Sequence, residues 1–265
     1  TRSGRMNRIL FEPFELTADN RVTLPGVDER VRHIRRVLKL SPGDRFRSGL
    51  VNGPGATATL LSVDRELLLV SVEFGETPLL PPDPVTLLLS HPRPIVLKRM
   101  LKDLTTLGVK RMIIFPGERG EKSYFDCSLW EGEGYRRFLI DGAMQAGSTM
   151  IPEVVRKETL PDALSEAIPT DEARLLVADE AVSHDRTLFR ALREGGPFRP
   201  EEPAVLSVGA ERGWSESERA VLGEAGFRAF SLGPRVLRTE TAALVVTSAV
   251  VEQYHRDKQP GDTPR

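Results

Sequence analysis

Leu232-Gly233-Pro234-Arg235-Val236-Leu237-Arg238-Thr239-Glu240-Thr241-Ala242-Ala243-Leu244-Val245-Val246-Thr247-Ser248-Ala249-Val250-Val251 puts a rigid Gly-Pro turn, arginines and a glutamate directly ahead of an apolar helix. Pro234 fixes its own φ and Gly233 permits close backbone approach. Arg238-Thr239-Glu240-Thr241 then offers a helix start whose unpaired N–H groups can hold polar ligand atoms. The same residues also read as an ordinary loop and N-cap before a core helix, and this motif alone leaves both readings open.

A second motif lies upstream. Ala204-Val205-Leu206-Ser207-Val208-Gly209-Ala210-Glu211-Arg212-Gly213-Trp214 is an apolar run ending in a Gly-flanked acidic loop, and Ser215-Glu216-Ser217-Glu218 behind it forms a capping box. Strand, glycine loop and capped helix is the α/β arrangement for a ligand at the carboxyl end of a strand. A helix over Glu216 to Glu224, a stop at Gly226 and a strand over Phe227 to Ser231 connect the two motifs.

Together these segments resemble the C-terminal trefoil-knot region of the SPOUT RNA methyltransferases, within them the family that methylates N3 of a uridine in small-subunit ribosomal RNA. In that family the segments run Gly-Pro-Glu-Gly-Gly-Phe-Ser-x-x-Glu and Leu-Gly-x-Arg-Ile-Leu-Arg-x-Glu-Thr-Ala. Ala210 stands here where the family has proline, and Arg212 where it has glycine. Arg32-His33-Ile34-Arg35-Arg36-Val37-Leu38-Lys39-Leu40-Ser41-Pro42-Gly43-Asp44 is similar to the family's His-Ile-x-x-Val-Leu-Arg-x-x-x-Gly-Asp element. Gln145-Ala146-Gly147 with Ile151-Pro152-Glu153 resembles Glu-Gln-x-Gly-Arg-x-x-x-Pro-Glu, with Met144 for the glutamate and Ser148 and Met150 where arginines are common.

The resemblance implies an α/β protein with a PUA-like RNA-binding β-barrel over residues 6–76 and a knotted SPOUT methyltransferase domain, mostly parallel in its sheet, over 83–265. It implies S-adenosylmethionine held near Val208, Gly209, Gly213, Ser231, Leu232, Gly233, Val236, Leu237 and Ala242, and ribosomal RNA or the small ribosomal subunit as partner. A uracil imide nitrogen is a poor nucleophile until deprotonated, so the site needs a proton acceptor and a cation for the imidate oxygens. Arg238 is the candidate stabiliser and Glu240 the candidate base or its orienter; complementing the helix dipole is the other reading of Glu240. No metal is required. The alternative function is a divergent homologue that binds RNA or cofactor with an altered target or lost activity, which the substitutions permit; a small-molecule α/β enzyme is more distant.

The helix expected from Glu29 to Leu38 carries Val31, Ile34 and Leu38 on one face and Arg32, Arg35, Arg36 and Lys39 over the rest. Such a charge run is either a solvated face or a phosphate-binding patch, and with the resemblance Arg8, Arg32, His33, Arg35 and Arg36 become candidates for RNA contact. The final helix, Thr241 to about Tyr254, is apolar nearly all round, so it is buried either in the core or in a subunit interface; with the resemblance, which implies a site completed across a dimer, a homodimer held through this helix, Val246 included, is expected.

Bulk properties narrow the field. At 265 residues with a net charge of −1, the chain has ample core and lacks the positive surface of a protein that coats nucleic acid non-specifically. The lone cysteine, Cys127, permits no intrachain disulfide, and no apolar run spans a membrane, so a cytoplasmic protein is expected. Residues before Met6 read as an expression remnant. Strands are expected at Ile9 to Phe11, Arg45 to Gly49, Ala56 to Val63 and Leu67 to Phe74, with a hairpin turn at Gly53-Pro54-Gly55. Beyond a proline-rich linker, strands at Val85 to Ser90, Val109 to Phe115, Leu175 to Ala178, Val205 to Val208 and Arg228 to Ser231 alternate with helices at Ile95 to Leu107 and Leu129 to about Ala146. No G-x-G-x-x-G follows a strand, Gly117 to Ser123 lacks phosphate-loop spacing, and the histidines are scattered singly.

Overall fold

The structure, a computed structural model, describes residues 8–168 and 172–258; the Met6 start and the end of the second expected domain lie outside the described residues. The chain divides into two compact units, one reaching to Pro81 together with Ile140–Ile151, the other Pro82–Leu139 with the residues from Pro152 onward. Grouping of Ile140–Ile151 with the first unit departs from the sequence boundaries, and its cause is local. Met144 packs against the first unit's core. The Arg8 amide donates to the Met144 carbonyl at 3.3 Å and the Asn52 amide to that of Thr149 at 2.8 Å.

In the first unit, β1 (Ile9–Phe11), β2 (Arg21–Pro25), β3 (Arg45–Leu50), β4 (Pro54–Val63) and β5 (Leu67–Pro78) form one mixed sheet in the order β1-β3-β4-β5-β2. The sheet curls over a core that includes Phe11, Val22, Leu24, Val31, Ile34 and Leu68. It is a half-barrel rather than a closed one, since β1 and β2 are its two unjoined edges among the described residues. The β3–β4 turn falls at Val51-Asn52-Gly53, earlier than expected, because Asn52 takes the left-handed conformation (φ 56°) and Pro54 already opens β4. Helix α1 (Glu29–His33), capped by Asp28, runs on into one wide turn, Ile34–Leu38, and the left-handed Lys39 (φ 53°) ends it ahead of Ser41-Pro42.

The second unit holds β6 (Asp83–Ser90), β7 (Val109–Phe115), β8 (Glu153–Arg156), β9 (Arg174–Ala178), β10 (Ala204–Val208) and β11 (Arg228–Phe230) in a wholly parallel sheet, order β11-β9-β10-β6-β7-β8. Its helices are α2 (Pro94–Thr106), α3 (Lys122–Phe125), α4 (Arg136–Ala146, which carries the chain into Ile140–Ile151), α5 (Leu160–Ala167), α6 (Leu188–Glu194), α7 (Glu216–Glu224) and α8 (Thr239–Asp257). Leu160, Leu164 and Leu222 of α5 and α7 share a core with Leu88, Ile113, Val177 and Val205 of the sheet. The long helix expected from Leu129 is broken: Gly132 (φ 53°) and Glu133 (φ 57°) are left-handed, so a short tight turn over Ser128–Glu133 precedes α4.

Helix α8 settles which of its apolar faces is inside. Ala243, Val246, Thr247, Val250 and Tyr254 are buried, whereas Val245 is 44% exposed. Val246, 1% exposed within the single chain, is therefore a core residue and not the interface residue the sequence suggested. Among the described residues no helix is long and apolar enough to cross a membrane.

Candidate functional site

The carboxyl ends of β9, β10 and β11 open onto one pocket lined by Ala178, Asp179 and Glu180, by Val208–Glu211 with Gly213 and Trp214, and by Ser231–Gly233, Arg235–Leu237, Thr239 and Ala242. Parallel strands place these loops together, since every strand delivers its C-terminal loop to the same edge. Each residue expected to hold a cofactor, Val208, Gly209, Gly213, Ser231, Leu232, Gly233, Val236, Leu237 and Ala242, lies on this wall.

Local chemistry explains the shape. After β10 the chain turns with the Gly213 amide bonding the Ala210 carbonyl at 2.9 Å, and Gly213 (φ 62°) takes the left-handed conformation that glycine tolerates. Trp214 then drops into the core at 1% exposure. The Ser215 hydroxyl accepts from the Glu218 amide at 3.0 Å while the Glu218 carboxylate accepts from the Ser215 amide at 2.8 Å, which starts α7 as the sequence pattern required. After β11 the Ser231 hydroxyl accepts from the Gly233 amide at 3.2 Å and meets His184 Nδ1 at 3.1 Å. Gly233 (φ 107°) lies where a side chain is strained whatever the space, so the Gly-Pro turn depends on glycine.

Three carboxylates face the pocket, and they differ. Asp179 is spanned by Arg219 at 2.7 and 3.0 Å, and this pairing holds the guanidinium's proton more tightly than usual. Glu211 accepts the Arg93 amide at 3.0 Å, and Glu180 forms no salt bridge among the described residues. Sequence reasoning missed Ala178, Asp179, Glu180, Ala210, Glu211, Trp214, Arg235 and Thr239 as lining residues. Asp179-Glu180 follows the Leu175 to Ala178 run just as Gly209 follows Val208, a strand-end signal that would have found the first three.

The candidate catalytic pair sits at the mouth of α8. Arg238 is the exposed N-cap residue and Glu240 lies half-buried in the first turn; neither is on the pocket wall, where the arginine is Arg235. The basic helix is divided as well. Arg32, Arg35 and Arg36 are exposed without salt bridges among the described residues and His33 is half-buried, but Arg8 turns inward. Its guanidinium donates to the carbonyls of Ser48, Ala56 and Gly147, and burial together with Arg47 lowers its proton affinity, so Arg8 serves as a clamp within the first unit rather than as part of the free basic face.

The RNA methyltransferase domain family matches residues 80–251. The chain is 34% identical over 260 residues to ribosomal RNA small subunit methyltransferase E of Treponema pallidum, covering 96% of this chain and 94% of that protein. The chain belongs to this RNA methyltransferase family. A relative of the same name from Bacillus subtilis is 24% identical and matched over its whole length. Among solved structures, a ribosomal RNA small subunit methyltransferase E from Neisseria gonorrhoeae bound to S-adenosyl methionine superposes with a TM-score of 0.70 at 26% identity, over 92% of this chain and 96% of that one. A probable rRNA-methyltransferase from Porphyromonas gingivalis reaches 0.73 at 25% identity, over 94% and 99%. In this RNA methyltransferase the pocket at the β9–β10–β11 edge is the candidate active site.

Proposed function

We propose that this enzyme transfers a methyl group from S-adenosylmethionine to N3 of a uridine in small-subunit ribosomal RNA, and that it does so as a homodimer. The observation that carries the reading is the convergence of the two sequence motifs on one pocket at the carboxyl edge of a parallel sheet. The donor set suits a cationic adenosyl ligand: Ala178, Val208, Leu237 and Ala242 give apolar wall, and with Asp179 neutralised by Arg219, Glu180 and Glu211 remain to face positive charge.

When bound, S-adenosylmethionine supplies an electrophilic methyl group on a sulfonium. The chain's own residues do the rest. The Gly209–Gly213 loop and the Gly233 turn orient the donor, Arg238 stabilises negative charge developing on the uracil oxygens, and Glu240 receives the N3 proton or orients its acceptor. The exposed Arg32, Arg35 and Arg36 hold RNA phosphates. The second copy covers the groove that Asp103, Thr106 and Leu107 at the end of α2 form with Leu244, Val245, Ser248, Ala249 and Glu252 of α8. The test is incubation of unmethylated small-subunit ribosomal RNA with S-adenosylmethionine and mapping of the modified nucleotide. A uridine methylated at N3 is the expected product; cofactor binding without methylation would instead favour a homologue with a lost or altered target.

A further inference from the structure

The carboxyl edge of β6 holds a pair of polar groups that this scheme does not use. The register sets Leu89 opposite Val208 of β10, so His91, next after β6, leaves the sheet at the same edge as the Gly209–Gly213 loop. Two residues on, the Arg93 amide bonds Glu211 of the pocket wall. His91 is 2% exposed. Its Nδ1 lies 2.7 Å from the Pro92 carbonyl oxygen, and a carbonyl can only accept, so Nδ1 carries the hydrogen. Nε2 therefore presents a lone pair, buried and without a hydrogen-bond partner among the described residues. Burial, with Arg156 adding to it, pushes the imidazole down to about 4, which keeps Nε2 an acceptor at neutral pH.

Trp130 packs against this ring with centroids 5.8 Å apart, and its indole Nε1–H is likewise buried without a partner. Phe125 closes the box at 5.9 Å from His91, and the Arg156 guanidinium lies 4.0 Å over Phe125 and 4.9 Å over Trp130. Leaving a buried donor or acceptor unpaired is destabilising, so an orphan acceptor and an orphan donor in one aromatic box are suited to a ligand that satisfies both.

We propose that His91 and Trp130 read the target base, His91 Nε2 accepting from uracil N3–H and Trp130 Nε1–H donating to the neighbouring carbonyl oxygen. This rests on the uridine-methylation reading and names what selects the base. An acceptor beside a donor complements the imide edge of uracil; cytosine shows the reverse, with N3 an acceptor and its exocyclic amine a donor. The first of these bonds is made to the proton that the reaction removes, so it forms on docking and must break, the proton passing to Glu240 or the acceptor that Glu240 orients, before the methyl group can reach N3; it has no counterpart in the N3-methylated product. Trp130 rides on the irregular Ser128–Glu133 turn and is only partly buried, so rotation of its ring admits the base.

The test follows the ¹⁵N signal of His91 Nε2 in the full-length protein saturated with S-adenosylhomocysteine, titrated separately with uridine, cytidine and N3-methyluridine 5′-monophosphates. Only the uridine nucleotide should move it, and Trp130→Phe should weaken that binding about tenfold. In parallel, His91→Ala should lower kcat/KM for ribosomal RNA about tenfold or more with cofactor affinity unchanged, and His91→Gln, which keeps an acceptor, should restore part of it. A signal indifferent to the uridine nucleotide, or cofactor affinity falling in step with kcat/KM, overturns the proposal. If the wild type fails to methylate RNA while the uridine nucleotide still moves His91, the methylation reading fails and the base site stands.

Discussion

The indole Nε1–H of Trp214 donates to the carbonyl oxygen of Ala178 at 2.9 Å, fastening the loop after β10 to the carboxyl end of β9. The Trp214 ring also stacks on Phe115, 6.3 Å between centroids and 11° apart. Trp214→Phe preserves most of that packing but deprives a part-buried carbonyl of its donor, at a cost of about 1 kcal/mol. Because the bond joins two walls of the pocket, S-adenosylmethionine affinity should fall by about tenfold while RNA affinity holds. Thermal unfolding with calorimetry checks this, and unchanged cofactor affinity would show that the walls keep their spacing without the bond.

Neighbouring valines on α8 separate assembly from folding. Val245 is 44% exposed and lines the groove beside α2, whereas Val246 is 1% exposed inside the chain. Val245→Asp should therefore yield a folded monomer by light scattering. Val246→Asp places an unpaired carboxylate in the core and should lose several kcal/mol of stability whatever the assembly state. A dimer surviving Val245→Asp at micromolar concentration sinks the α8 interface.

These two residues also show where sequence reading stops. Both are apolar on a helix apolar nearly all round, and only the packing of that helix against α2, β10 and β6 distinguishes them. Local signals were legible: the Ser215–Glu218 box starts α7 where it must, and Gly108 (φ 83°) stops the helix before β7. So were the glycine loop and the Gly-Pro turn of the pocket. Asp179 and Glu180 were legible only as the residues that end a strand; that they share this pocket depends on the β9–β10 pairing, which brings distant segments of the chain together. The break ahead of α4 was also hidden, since Glu133 favours helices yet adopts φ 57° here.

Replacing Arg32, Arg35 and Arg36 together by Ala should weaken binding to every RNA sequence alike and flatten the salt dependence, by about one unit of slope for each phosphate that is no longer neutralised. Cofactor affinity should not change. Filter binding across a salt series measures it, and an unaltered slope would make this face merely solvated.

His91 sets a pH limit on stability. Its folded-state value of about 4 lies below the ordinary histidine value of 6.5, so between these pH values the unfolded chain binds more protons than the folded one. Stability contributed by the neutral ring is thus complete above about pH 6.5 and is lost as pH falls toward 4, amounting to roughly 3 kcal/mol on the scale of about 1.4 kcal/mol per tenfold change in proton affinity. Unfolding midpoints of the wild type should drop more steeply than those of His91→Gln over this window. Parallel curves would mean that the ring stays neutral for no energetic reason of burial.

Arg238 is the N-cap residue of α8, its side chain exposed and making no cap hydrogen bond, while the pocket wall carries Arg235 instead. A group that binds the donor must touch it; a group that stabilises charge on the incoming base must stand free at the mouth until the base arrives. Arg238 has the second placement. Arg238→Ala should leave S-adenosylmethionine affinity nearly intact and lower single-turnover methylation of ribosomal RNA by about a hundredfold, the scale for removing a preorganised charge stabiliser. Arg235→Ala, on the wall, should do the opposite and weaken cofactor binding first. Parallel loss of affinity and turnover in Arg238→Ala would make it a clamp on the cofactor, and no loss of either would remove it from the reaction and leave Glu240 as the next side chain to replace.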